Sequence, residues 1–187
     1  MNYPNNIRKT QITNYSNRGM NLENDLNDTN NYYLQNNIAV IYKKPTPITI
    51  VSVDYKSRKD AVIKEAYFKI PSTTDYNGVY KGKYIDFEAK ETKNKVGFPL
   101  INIHKHQLDH LKHVIDAGGI AFLIIKFTLY NKTFFIDAKV FLDYLEIFNK
   151  KTIPIKFFED NGHILVEKYN PRLDYLNIID KFYLKGD

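Results

Sequence analysis

Apolar and polar residues alternate through Lys83-Tyr84-Ile85-Asp86-Phe87-Glu88-Ala89-Lys90, with Ile85, Phe87 and Ala89 on one face and Tyr84, Asp86, Glu88 and Lys90 on the other. A period of two predicts a strand with one buried side. Upstream, Leu22, Leu26, Tyr33 and Leu34 recur at near-helical spacing and predict an amphipathic helix, with Ser16 as its N-cap. Residues 38–42 read as a short buried strand. Pro45 and Pro47 then interrupt pairing, because neither has an N–H to donate. Residues 48–53 and 61–68 read as extended segments around a polar turn at 54–60. Downstream, a helix runs from His104 to Asp116 with Leu108, Leu111 and Ile115 as its stripe, and Gly118-Gly119 stops it. The wholly apolar run at 120–125 suits a central strand covered on both faces. Residues 134–136 follow a turn at 130–132. Asp137 then caps a short helix that turns Val140, Phe141, Tyr144 and Leu145 inward. Residues 149–169 are less regular, and Asn170-Pro171 opens a last helix bearing Leu176, Ile179 and Tyr183. These elements predict a single α/β (α+β) domain, a mixed central sheet flanked by helices.

The candidate chemistry gathers at the alternating strand. Glu88 and Lys90 point the same way, about 7 Å apart. If the chain reverses in a two-residue loop at Lys81-Gly82, Asp75 falls opposite Glu88 on the neighbouring strand. Facing carboxylates repel. A hard cation such as Mg²⁺ removes that repulsion, taking one or two carboxylates and filling its other positions with water or phosphate oxygens. Two carboxylates, a metal and a lysine are equipment for hydrolysing a phosphodiester. The plainer alternative makes Asp75 an ordinary turn residue near Asn77-Gly78, and Glu88 and Lys90 an exposed strand face.

Longer strings add to this. Tyr15-Ser16-Asn17-Arg18-Gly19-Met20, Lys43-Lys44-Pro45-Thr46-Pro47, Ser72-Thr73-Thr74-Asp75-Tyr76-Asn77-Gly78 and Ile85-Asp86-Phe87-Glu88-Ala89-Lys90-Glu91-Thr92-Lys93-Asn94-Lys95 resemble the RecU Holliday junction resolvases. That family lies within the restriction-endonuclease-like nucleases, whose signature is Asp…Glu-x-Lys. The resemblance runs from about residue 15 to about residue 183. It implies a homodimeric, Mg²⁺-dependent endonuclease that cuts four-way DNA junctions, with a projecting β stalk at about 43–60 that reaches into the junction centre. Carried over residue by residue, it implies a metal site at Thr73, Asp75, Glu88 and Gln107, with Lys90 stabilising the transition state. Gln107 lies one turn before Leu111, near the inward face of its helix, from where it can offer its side-chain oxygen to a metal held by the strands. Arg18, Lys43, Lys44, Lys56, Arg58, Lys93 and Lys95 are the candidate DNA contacts, and a recombinase is a candidate partner.

Composition bounds the reading without deciding it. A chain of 187 residues with 43% hydrophobic content suits one domain. The net charge of +6 favours a polyanionic partner, although only four of the 27 basic residues are Arg, a bias that also fits codon usage in an AT-rich genome. The absence of Cys excludes disulfides, thiolate metal sites and cysteine nucleophiles. Residues 1–14 carry no periodicity and read as a flexible arm before a nuclease domain at 15–187. The first 13 residues lack the apolar core of a signal peptide, and no apolar run reaches membrane-spanning length, so the expected location is the cytoplasm. His106, His110 and His113 share one helix but lack the further ligands that zinc wants. Glu23 reads either as an exposed helix residue or as an accessory carboxylate, as first-helix glutamates are in related nucleases. Two rival functions stay open: a non-catalytic branched-DNA-binding or recombinase-regulating protein, and a nuclease for linear or damaged DNA.

Overall fold

The computed structural model describes residues 21–57, 59–69, 73–148 and 150–184. The expected N-terminal arm, Ser16, Arg18 and Arg58 lie outside the described residues. Helix α1 spans Leu22–Gln35 and is N-capped by Asn21, whose side chain accepts a hydrogen bond from the Asn24 amide. Its apolar stripe is as predicted at Leu22, Leu26 and Tyr33, all buried, whereas Leu34 is exposed.

The strands that follow are β1 (Val40–Lys43), β2 (Ile48–Asp54), β3 (Val62–Phe68), β4 (Tyr76–Tyr80), β5 (Lys83–Thr92) and β6 (Gly97–Pro99). Helix α2 (Lys105–Asp116), strands β7 (Ile120–Phe127) and β8 (Lys132–Asp137), and helix α3 (Ala138–Ile147) come next. The chain closes with β9 (Thr152–Pro154), α4 (Ile155–Asn161), β10 (His163–Leu165) and α5 (Leu176–Phe182). Among the described residues the main sheet has six strands in the order β1-β4-β5-β7-β8-β10. Only β5 and β7 run parallel, joined through α2, and the other neighbours are antiparallel. The sheet is mixed, as the sequence predicts.

Alternate residues of β7 divide two cores. Phe122 and Ile124 pack with α1 and α5, while Ala121, Leu123, Ile125 and Phe127 pack with α2, α3 and α4. The sheet therefore lies between two helical layers, and its central strands are wet on neither face. On the α1 side, Tyr76, Phe87, Phe122 and Phe135 stack in sequence across β4, β5, β7 and β8, with centroids 4.7, 4.7 and 4.3 Å apart. Each such pair contributes about 0.5–1.5 kcal/mol beyond its buried area. The row thus holds β4 in register against β5.

Four expectations change. The strand at 38–42 begins at Val40 and is an edge strand: Ile41 is buried, but Val40 and Tyr42 are exposed. The irregular stretch at 149–169 contains α4 and the sixth strand of the sheet, both too short for periodicity to register. The last helix starts at Leu176 rather than at Asn170-Pro171. Finally, β5 is buried on both faces, since Asp86 and Glu88 are as inaccessible as Ile85 and Phe87. Strands β2 and β3 form a separate two-stranded ribbon with nearly every residue exposed, overlapping the 43–60 segment and running on to Phe68.

Candidate active site

A two-residue turn sets the geometry. Lys81 and Gly82 both take positive φ, 46° and 73°, the combination that a tight hairpin between right-twisted strands requires. Tyr80 therefore pairs with Lys83 and Tyr76 with Phe87, and the next step of the register sets Asp75 against Glu88. Gly78 lies opposite Ile41 on β1, where a Cβ would come within 2.1 Å of the Val40 carbonyl oxygen. The absence of a side chain there lets β1 close on β4. That in turn brings Lys43 and Lys44 to the site.

Glu88 is fully buried. Its Oε1 forms an ion pair with Lys90 Nζ at 2.6 Å and accepts a hydrogen bond from Gln107 Nε2 at 2.8 Å. Its Oε2 is buried and has no donor among the described residues. Burial first and the neighbouring Asp75 second push the Glu88 carboxyl up, with Lys90 pulling it back in part, to about 8. A buried carboxylate lacking one partner and facing a second carboxylate is a site for a cation, so these residues fit a hard divalent metal. The alternative in which Glu88 is an exposed strand residue is excluded by its burial.

Gln107 is on the inward face of α2 as predicted, but in an unexpected orientation. Its amide nitrogen faces Glu88, while its oxygen accepts the His104 N–H at 3.0 Å within the capping box of α2. Thr73 is half-buried at the start of the segment leading into β4. Among the described residues no group of three or more His, Cys, Asp or Glu is placed to hold a metal. Any cation here would rely on two carboxylates together with neutral oxygens.

Next to this centre is a cleft of about 230 Å³ lined by Asn21, Glu23, Lys43, Asp75, Tyr76, Lys90 and Glu91 among others. Glu23 thus reaches the site from the first turn of α1. It pairs with Lys43 at 2.5 Å. The Leu22 amide, free at the helix start, donates to Glu91 Oε1 at 2.7 Å and anchors α1 to the end of β5. The Tyr76 hydroxyl is held far above its usual range, first by burial and then by the charges of Glu23, Asp75 and Glu88, so it stays protonated.

The candidate DNA contacts divide. Lys56, Lys93 and Lys95 are exposed, the first in the ribbon turn and the others in the loop after β5. Lys43 is exposed beside the cleft. Lys44 turns inward instead, with Nζ 2.7 Å from Oδ2 of the fully buried Asp86 and 2.9 Å from Thr74 Oγ1. His110 also reaches Asp86, at 3.2 Å, so this member of the His106/His110/His113 series has a carboxylate partner. The sequence reading missed the Asp86 cluster. Its one signal was that Asp86 shares the strand face of Glu88.

The family model described as Recombination protein U matches residues 17–181. Curated proteins named Holliday junction resolvase RecU are similar along most of their length. Those of Bacillus cytotoxicus and Bacillus mycoides are each 58% identical over 172 residues, and one from Bacillus cereus is 57% identical. Each alignment covers 90% of this chain and 86% of the relative. With the family match running across the sheet and both helical layers, and relatives this similar over nine-tenths of its length, the chain belongs to the RecU family.

Proposed function

We propose that this chain is a Mg²⁺-dependent endonuclease that resolves Holliday junctions during recombination and repair, working in the cytoplasm as a homodimer that nicks two strands. The observation that carries the reading is Glu88: fully buried, one oxygen without a donor among the described residues, opposed to Asp75 and 2.6 Å from Lys90. The relatives' names supply the substrate, since a Glu-x-Lys centre does not encode DNA shape.

Asp75 and Glu88 would hold the cation, with Thr73 and Gln107 completing the set; Gln107 would exchange its His104 hydrogen bond for that role. When bound, a divalent ion polarises the phosphate and lowers the pKa of its water. Lys90 supplies a fixed positive charge against the negative charge that develops on the scissile group. The Glu23–Lys43 pair borders the cleft in which the backbone would lie. Lys93 and Lys95 follow the end of β5, and Lys56 tips the ribbon, where phosphates of a branched substrate would pass.

Purified protein incubated with Mg²⁺ and with matched junction, duplex and flap substrates tests the reading. Symmetric cleavage of the junction, blocked by EDTA, is the expected result. Equal cutting of linear duplex would reassign the substrate, and cutting that persists in EDTA would remove the metal.

A further inference from the structure

We infer that Asp86, Thr74 and Lys44 form a positioning cluster that fixes the 73–75 segment in the attitude its metal ligands need, and that Lys44 acts here rather than on DNA. The inference rests on the metal-site reading above and adds residues to it.

The 73–75 segment precedes β4 and lies outside the hydrogen-bonded ladder, so its conformation depends on bonds from elsewhere. Lys44 supplies two of them. Its backbone N–H donates to the Asp75 carbonyl at 2.7 Å, and its Nζ donates to Thr74 Oγ1 at 2.9 Å. The Thr74 hydroxyl in turn donates a hydrogen bond to Asp86 Oδ1, and Lys44 Nζ also reaches Asp86 Oδ2 at 2.7 Å. The segment between Thr73 and Asp75 is thereby tied to β5 two residues before Glu88. Both ligand-bearing strands then share one anchor.

Asp86 anchors the helix as well. The Tyr84 hydroxyl donates to Asp86 Oδ2 at 2.7 Å, and His110 Nε2 lies 3.2 Å from the same oxygen. His110 is one turn beyond Gln107 on α2, and Gln107 meets Glu88. Two positions three apart on the helix thus meet two positions two apart on the strand, which sets the rotation of α2 over the site. A fully buried carboxylate with four partners around its two oxygens is well satisfied, so its contacts are directional constraints. Partners of this kind, orienting ligands without touching the metal, typically carry about 10–100-fold in metal affinity.

The test measures Mg²⁺ affinity of the DNA-free dimer or monomer by titration calorimetry, and junction affinity without metal by gel shift. Thr74→Val removes the hydroxyl and keeps the shape, Thr74→Ser restores it, and Lys44→Met removes the ammonium. Asp75→Asn is the control for the site itself. Thr74→Val and Lys44→Met should weaken Mg²⁺ binding by about tenfold or more, with Thr74→Ser within about twofold of the native protein and junction affinity unchanged throughout. Circular dichroism and melting identify any variant that fails to fold, and the Thr74 pair carries the test if Lys44→Met does. If Asp75→Asn abolishes Mg²⁺ binding while Thr74→Val and Lys44→Met bind it normally, the positioning cluster is refuted and the metal site stands. If Lys44→Met loses junction affinity with Mg²⁺ affinity intact, Lys44 is a DNA contact and the inference fails. If Asp75→Asn binds Mg²⁺ as the native protein does, the metal-site reading falls, and this inference with it.

Discussion

The Asp75 carboxylate disfavours charge on the buried Glu88, and substitution of either is expected to separate chemistry from binding. Asp75→Asn or Glu88→Gln should lower junction cleavage by about a thousandfold or more, because the charge stabilisation lost is worth several kcal/mol. Junction affinity should stay near native, since phosphate contacts elsewhere supply most of it. Single-turnover cleavage and gel-shift measurements on the same preparations check both halves. Glu88 also predicts a pH dependence. Its folded-state pKa is raised, to about 8, so the contribution to stability is complete below the unfolded carboxyl value and is lost as pH rises through 8. In EDTA, raising pH from 5.5 to 8.5 should cost the native protein about 3 kcal/mol more than it costs Glu88→Gln, roughly 6–12 °C in melting temperature. Added Mg²⁺ should reverse much of the loss at pH 8.5, because it binds only the folded site. Equal pH responses in the two proteins would mean that Glu88 is not the group responsible.

At the scale of elements, the hairpin and its neighbours matter more than any one ligand. Gly78→Ala puts a Cβ against the Val40 carbonyl and Ile41 of β1, so backbone must move. The expected cost is about 2–3 kcal/mol, read as a fall of about 5–10 °C in the melting temperature. Cleavage should fall further than stability alone explains, because β1 delivers Lys43 and Lys44. The β2–β3 ribbon makes the opposite prediction. Its residues are almost all exposed and among the described residues it pairs only with itself, so replacing 54–61 by a two-residue turn should leave melting within a few degrees of native. Preference for junction over duplex should drop several-fold. Equal losses for both substrates would make the ribbon a general DNA contact.

For the whole molecule, the chain carries one constellation of Asp75, Glu88 and Lys90, and one such centre, acting as the proposed active site, would cut one strand at a time. Resolution takes two cuts related by approximate two-fold symmetry, which an isologous dimer provides. Light scattering should give twice the chain mass. Dimers mixed from native and Asp75→Asn chains should nick junctions without releasing resolved duplexes, and a monomer making paired cuts at the native rate would overturn the arrangement.

Features that rest on short spacings are legible along the chain. The alternation at 83–90, the turn at Lys81-Gly82 and the consequent opposition of Asp75 and Glu88 all follow from period and turn chemistry. So do the helix bearing Gln107 and the apolar strand at 120–125, because each is written within one element. Tertiary structure alone decided which polar face is covered. Asp86 and Glu88 have the spacing of a solvent-facing row, yet α2 closes over them, and that burial is what raises the Glu88 carboxyl out of the ordinary acid range. It also decided that Lys44 meets Asp86 from 42 residues away and that Glu91 fastens the start of α1 from 69 residues away. Contacts at such separations leave no period in the chain. They arise only when packing makes an unpaired charge or amide costly and brings its partner within reach.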